Sequence, residues 1–371
     1  MKIAFLCGSL EPGRDGVGDY VRRLGGELAE SGHQILAVAL NDGFVEKATY
    51  EDNNDRSSNL RLIRIPTNSI DDKNEMMMVS NSIKEFDPNV ISLQYVPYAF
   101  DLKGLPFNLA KKLKGVIQGK SLHIMFHELW LDMPVSWSQR IVAIAQKALI
   151  YNFIRILKPA YCSVSIPFNQ KRLKGLGVQS EVLNLFGNIY KNDTEHLLNP
   201  KGIDFNVPSI FYFGTAPKGE FLQKLLKEIS RLREKISGNI QVIVACGNSH
   251  DKDIFYNELK TILSDKDKVI DCGFLEVEAV SELMSNCTVG ISRSSVRLLG
   301  KSGSAIAMLE HGLPLWMPKW DGMEKLDLGF RENLIYSDLY TALQAKRETH
   351  YHSLLPGVAE LFIKSLAQLK Q

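Results

Sequence analysis

The sequence predicts an α/β protein of two domains, each built on a parallel sheet with helices on both faces. Three observations predict it. Short apolar runs of strand length alternate with helix-length amphipathic segments along nearly the whole chain. Two of these runs, at 2–7 and 209–213, are each followed by a glycine-bearing loop and a helical pattern, which is how a βα unit opens. Finally, 371 residues suffice for two hydrophobic cores.

The elements follow in order. Lys2-Ile-Ala-Phe-Leu-Cys7 reads as a buried strand, Gly8 to Gly18 as a loop, and Tyr20 to Glu30 as a helix stopped by Gly32. His33 to Leu40 is the next strand, with further ones at Val90-Ile-Ser-Leu93 and Leu122-His-Ile-Met-Phe126. The polar segment Asn188 to Asn206 carries linker signals. A second strand-loop-helix unit starts at Ser209-Ile-Phe-Tyr-Phe213, with its helix over Glu220 to Ile236. Strands at Ile240 to Ala245, Val269 to Asp271 and Thr288 to Ser292 complete the second sheet, and Tyr351 to Gln371 forms an amphipathic helix after Pro356. The expected division is a Rossmann-like domain at 1–188, a linker at 189–206, a second Rossmann-like domain at 207–350, and a helix at 351–371 returning to the first domain. Open α/β sheets bind ligands at the carboxyl ends of their strands, so one site is expected in a cleft between the domains.

Composition narrows the function. Lys and Arg number 44 against 42 Asp and Glu, a net charge of +2, which gives no general field for nucleic acid. The five cysteines (Cys7, Cys162, Cys246, Cys272, Cys287) form no C-x-x-C pair and mostly lie in apolar runs, which suits a reducing, cytoplasmic setting. The apolar stretch after Met1-Lys2 is too short for a secretory core. Ile141 to Leu157 is too short and too polar to span a bilayer.

Four segments carry candidate chemistry. In Pro12-Gly-Arg-Asp-Gly-Val-Gly-Asp-Tyr20, Gly16 and Gly18 permit close backbone approach, and a helix start offers N–H groups to an anion. The alternative is a tight βα turn with Asp19 as a first-turn helix acid. The spacing is not a dinucleotide fingerprint, because position 21 holds Val. In Phe126-His-Glu-Leu-Trp-Leu-Asp132, His127 ends a buried strand, where it can bond a sugar hydroxyl or serve as a structural histidine. Gly214-Thr-Ala-Pro-Lys-Gly219 places Lys218 after the first strand of domain two, as a ligand contact or a solvated turn. In the segment from Ile291 to Pro314, Arg293 follows a strand, and Gly300-Lys-Ser-Gly-Ser304 opens a helix that Gly312 closes. Lys301, Ser302, Gly303 and Ser304 suit a diphosphate, or else a serine simply caps the helix. No Walker motif is present, since position 295 is Ser. Two Asp-x-Asp strings, Asp251-Lys-Asp253 and Asp265-Lys-Asp267, read as surface charge and not as a metal site.

In this order and spacing the four segments resemble the GT-B glycosyltransferases, and most closely glycosyltransferase family 4. Gly16-Val-Gly-Asp-Tyr-Val-Arg-Arg-Leu is similar to the family's N-terminal glycine loop, Phe126-His-Glu to its sugar-proximal histidine motif, and Met308-Leu-Glu-His-Gly-Leu-Pro314 to its C-terminal signature helix. The resemblance implies a GT-B fold and transfer of a sugar from a nucleotide-diphosphate donor with retention, without metal or other cofactor, as in polysaccharide or glycoconjugate synthesis. It implies His127 and Asp19 at the reacting centre. Donor contacts fall to Gly16, Gly18, Gly214, Lys218, Arg293, Lys301, Ser302, Gly303 and Ser304. The family's paired glutamates correspond to Leu299 and Ala307, and Glu310, one turn along, is the substitute for the ribose contact unless it is a helix-surface residue. That departure motivates two alternatives, a binding subunit without catalysis and a nucleotide-sugar epimerase. The acceptor is a sugar, a lipid-linked molecule or another small molecule. Apolar and basic stretches at Phe107 to Lys114 and Ile141 to Tyr161 are compatible with contact at a membrane surface.

Overall fold

The computed structural model describes residues 1–52, 59–67, 69–117, 119–132, 134, 136–191, 203–318 and 331–367. They divide into two compact units, one of Met1–Asn184 with Leu355–Gln371, the other of Leu185–Leu354. Of the expected linker, residues 192–202 lie outside the described residues, as do 368–371 at the chain end.

Unit 1 opens with β1 (Lys2–Cys7), α1 (Gly16–Glu30) and β2 (Gln34–Asp42), then β3 (Thr49–Asp52), β4 (Leu60–Pro66) and α2 (Lys73–Phe86). There follow β5 (Val90–Tyr95), α3 (Leu109–Ile117), β6 (Ser121–Phe126), α4 (Trp137–Leu157), β7 (Tyr161–Val164), α5 (Pro167–Lys174) and β8 (Glu181–Val182). The sheet order is β3-β4-β2-β1-β5-β6-β7-β8, parallel except where β3 runs against β4. β1, β2 and β5 are buried almost throughout, as expected of strands covered by helices on both faces.

Unit 2 contains β9 (Ser209–Phe213), α6 (Gly219–Lys235), β10 (Gln241–Ala245), α7 (His250–Ile262), β11 (Lys268–Asp271), α8 (Val277–Asn286) and β12 (Val289–Ile291). A 3-10 turn at Val296–Lys301 leads into α9 (Gly303–Glu310), then β13 (Leu315–Trp316), β14 (Ile335–Tyr336) and α10 (Leu339–Gln344). This sheet is parallel in the order β11-β10-β9-β12-β13-β14. Alternate residues of β9 feed two separate cores: Ile210 and Tyr212 meet Leu225 of α6 and Phe255 of α7, while Phe211 meets Leu283 of α8 and Met308 of α9. The last helix, α11 (Leu355–Ala367), belongs to unit 1 and packs against α1. Its Phe362 ring stacks on Phe5 of β1 at 5.7 Å. Residues 351–354 precede the helix, because Pro356 is accepted in a first turn but not farther along.

Strand order reverses beside β1 in unit 1, where the neighbours are β2 and β5, and beside β9 in unit 2, where they are β10 and β12. At such switch points the connections leave on opposite faces and open a crevice at the carboxyl ends of the strands. The loops after β1, β6, β9 and β12 are the four segments singled out from the sequence.

Candidate functional site

In unit 1 the glycine segment is less a loop than the sequence suggested. α1 already starts at Gly16, because Asp15 caps it: its carboxylate accepts the Gly18 N–H at 2.6 Å. The expectation of free N–H groups for an anion here is thus corrected, since the side chain of Asp15 takes the anion's place. The two glycines also differ in purpose. A Cβ on Gly18 would lie 2.6 Å from the Ser9 carbonyl oxygen, so close packing of the helix on the segment after β1 demands that glycine. A Cβ on Gly16 would meet nothing within 4 Å. Asp19 folds the loop back, accepting from the Gly13 N–H at 2.9 Å, and its burial raises its pKa. The turn after β1 is clasped again at Leu10, whose N–H donates to Asp42 (3.0 Å) and whose carbonyl accepts from Arg22 (2.5 Å). Burial alone would raise the Asp42 pKa. Arg64, donating at 2.8 Å, and the N–H groups of Leu10 and Phe44 outweigh it and hold that pKa down.

His127 sits just past β6, only 6% exposed, with the Tyr20 ring edge-on at 5.0 Å. It ends a buried polar ladder that crosses three strands. Gln94 Nε2 donates to Ser92 Oγ at 2.7 Å, which leaves Gln94 Oε1 to accept from His127 Nε2–H at 2.8 Å. The Ser92 hydroxyl, already accepting, donates to His123 Nδ1 at 2.8 Å, and His123 Nε2–H donates to Ser163 at 3.0 Å. This directionality makes both imidazoles neutral Nε2–H tautomers and leaves Nδ1 of His127 as an acceptor. Burial pushes both pKa values down to about 3. The sequence reading missed this ladder. The signal was there: Ser92, Gln94 and His123 are polar residues at strand period inside apolar runs.

An acid-stability prediction follows. Between pH about 6.5 and about 3 the unfolded chain protonates these histidines and the native protein does not, so stability present above pH 6.5 is lost as the pH falls. Each histidine contributes a slope of up to about 1.4 kcal/mol per pH unit. The pH dependence of Tm between 6.5 and 4 should be shallower in His127→Gln than in the parent. Equal slopes would contradict the buried, neutral assignment.

In unit 2, Gly214 follows β9 at φ +114°, with open space where a Cβ would stand. Tyr212 ties the loop by donating to the Thr215 carbonyl at 2.7 Å. Burial raises the Tyr212 pKa strongly, and Arg293, after β12, is near enough for its charge to oppose the rise. β9 and β12 are neighbouring parallel strands, so the loops after them leave the sheet side by side. Lys218 is exposed at the start of α6 and pairs with Asp251 at 3.4 Å. Lys301 is exposed at the end of the 3-10 turn. Ser302 precedes α9 without a side-chain cap bond, which excludes the plain serine-cap reading. Gly303 lies against Asn188, 3.2 Å from a would-be Cβ.

Two expectations are corrected here. Glu310 is no surface residue: it is 2% exposed, and Oε1 accepts from the Leu354 N–H at 2.8 Å. It anchors the segment leading to α11, since a carboxylate buried under a returning chain must take a backbone donor. Asp267 is not surface charge either. Its fully buried carboxylate accepts from Arg233 (2.9 Å) and from the Ile240 (3.0 Å) and Ser264 (2.9 Å) N–H groups. Asp251 and Asp265 are exposed or pair at the surface. Among the described residues, no group of three or more His, Cys, Asp or Glu is placed to hold a metal ion.

Two units with parallel-dominated sheets, and a final helix that returns to the first, define a GT-B-like fold. The chain is similar over 99% of its length to sucrose-phosphate synthase from Thermosynechococcus elongatus (14% identity, TM-score 0.64, 94% of that chain covered). It is similar to Anabaena HepE in complex with UDP and glucose (14% identity, TM-score 0.55, 99% of this chain and all of that one). It also resembles UDP-GlcNAc 2-epimerase from Neisseria meningitidis bound to UDP-GlcNAc (10% identity, TM-score 0.53, 99% and 100% covered). No protein-family model matches the sequence. No curated protein matches it by sequence.

Proposed function

We propose that this protein is a nucleotide-sugar-dependent glycosyltransferase acting with retention and without a metal. The observation that carries the reading is the switch point of the unit 2 sheet, where Gly214, Lys218, Arg293, Lys301 and the uncapped start of α9 lie on the loops after β9 and β12. Two solved proteins of the same fold hold UDP-GlcNAc in one case and UDP with glucose in the other. In this reading Lys301, Arg293 and the amides of Gly303 and Ser304 take the diphosphate, and Lys218 joins them by leaving Asp251. Ser302 turns the chain into α9, and Gly214 leaves room for the nucleotide. In unit 1, the bare acceptor Nδ1 of His127 takes a hydroxyl of the sugar. Neutral His127 is no counter-charge for a phosphate. Gly16 leaves the sugar room, Gly18 seats α1 against the segment after β1, and Asp19 holds the loop in place. Glu310 keeps its structural post and makes no ribose contact. The acceptor is a sugar, a lipid-linked molecule or another small molecule.

A second reading, a nucleotide-sugar epimerase, is favoured by the likeness to the UDP-GlcNAc 2-epimerase fold. Incubation with a panel of nucleotide sugars in EDTA separates the two. The glycosyltransferase reading expects donor consumption that needs an acceptor and survives the chelator, with the anomeric configuration kept in the product. An epimerised nucleotide sugar without acceptor would replace it by the second reading. Turnover lost in EDTA and restored by manganese would remove the metal-independent mechanism.

A further inference from the structure

α4 is apolar on two opposite sides. Its inner line, Ala143, Gln146, Ile150 and Phe153, is buried in unit 1. Its outer line carries Trp137, Ile141, Ile144 and Tyr151, exposed by 79, 65, 70 and 46%. A surface helix normally turns a polar face outward, so four large apolar side chains in one row call for a covering surface. At 1.5 Å per residue the helix from Trp137 to Arg155 spans about 27 Å.

The charges say what covers it. Trp137–Leu157 contains no Asp or Glu, while Arg140, Lys147 and Arg155 are all exposed. Arg140 lies over the Trp137 ring at 5.4 Å and Arg155 over the Tyr151 ring at 5.7 Å, so cations flank the aromatic ends of the row. A second copy of the chain on a two-fold axis would set this helix against itself, cations facing cations with no carboxylate on the helix to pair them. An anionic lipid surface supplies both the apolar depth and the countercharge. Tryptophan and tyrosine rings with isoleucines between them match the headgroup level of such a surface. Among the described residues no helix is long and apolar enough to cross a membrane, so the contact is peripheral.

We infer that the outer face of α4 docks on an anionic phospholipid surface, with Trp137, Ile141, Ile144 and Tyr151 at headgroup depth. This does not rest on the donor reading. The test is flotation of the full chain with vesicles of phosphatidylcholine alone, or of phosphatidylcholine and phosphatidylglycerol in equal parts, beside sedimentation equilibrium. The expected result is a monomer that floats with the anionic vesicles and does so less as salt rises. Ile141→Asp with Ile144→Asp should lower partitioning at least about tenfold with an unchanged melting curve, because both side chains are exposed. Replacing Arg140, Lys147 and Arg155 with Ala should lower it roughly fivefold per residue on anionic vesicles only. Failure to float with either vesicle would overturn the inference, as would a dimer that the same isoleucine variants dissolve.

Discussion

Lys301→Ala is expected to lower kcat/KM by roughly a hundredfold and to weaken nucleoside-diphosphate binding alongside. A lysine on a phosphate contributes about 1.5–3 kcal/mol as a charge-assisted bond, and more as the leaving diphosphate gains charge. Lys301 is exposed and ends the turn that delivers the chain into α9. Its removal leaves the core untouched, so the melting temperature should stay with the parent. Lys218→Ala should cost less, roughly tenfold, because Asp251 already holds that ammonium at 3.4 Å and must be displaced. Asp251→Asn should accordingly tighten diphosphate binding a few-fold. Initial rates and titrations on the three variants check this. Parent-like diphosphate affinity in Lys301→Ala would move the phosphate elsewhere, with Arg293 the next residue to replace.

Gly312→Ala should be the most damaging small substitution in unit 2. Gly312 closes α9 at φ +70°, and a Cβ there would stand 1.9 Å from the Glu348 carbonyl oxygen. Neither can give way easily: Gly312 accepts from the Glu348 N–H at 3.0 Å, which fixes the two backbones together. Left-handed strain and the overlap together cost roughly 2–5 kcal/mol. That corresponds to a fall in Tm of about 5–15 °C. Gly16→Ala is the informative contrast. Its Cβ meets nothing within 4 Å, so the fold should be as stable as the parent or more so by up to about 1 kcal/mol. A loss of turnover in that stable variant would locate a ligand at Gly16, and full activity would leave the open space there without a function.

The reading from sequence succeeded where a residue's own neighbourhood determines its structure. β1, β9 and β10 are apolar after their first residue and β5 and β6 are mostly so, and such a run bounded by turn residues has few other ways to be buried. It failed where partners distant in the chain decide. β13 and β14 are two residues each and exist because β12 and its neighbours offer them a ladder. Glu310 looks solvated on a helix until Leu354 is seen to return across it, and Asp267 looks exposed until Arg233 and Ile240 close over it. The helix start at Gly16 was hidden by two glycines that local propensity places in a loop, and it is the Asp15 cap that overrules them. The polar ladder behind His127 was readable from Ser92, Gln94 and His123, but only as alternation. Its hydrogen bonds required the register in which Ser92 faces His123.

Calorimetric titration with UDP, GDP, ADP and CDP decides whether the loops after β9 and β12 bind the diphosphate of a nucleotide sugar. Metal-free protein should bind at least one of them saturably, one molecule per chain, with the affinity lowered roughly tenfold or more by Lys301→Ala. Binding of none of the four by folded protein, or binding to the parent and to Lys301→Ala alike, would contradict that diphosphate site.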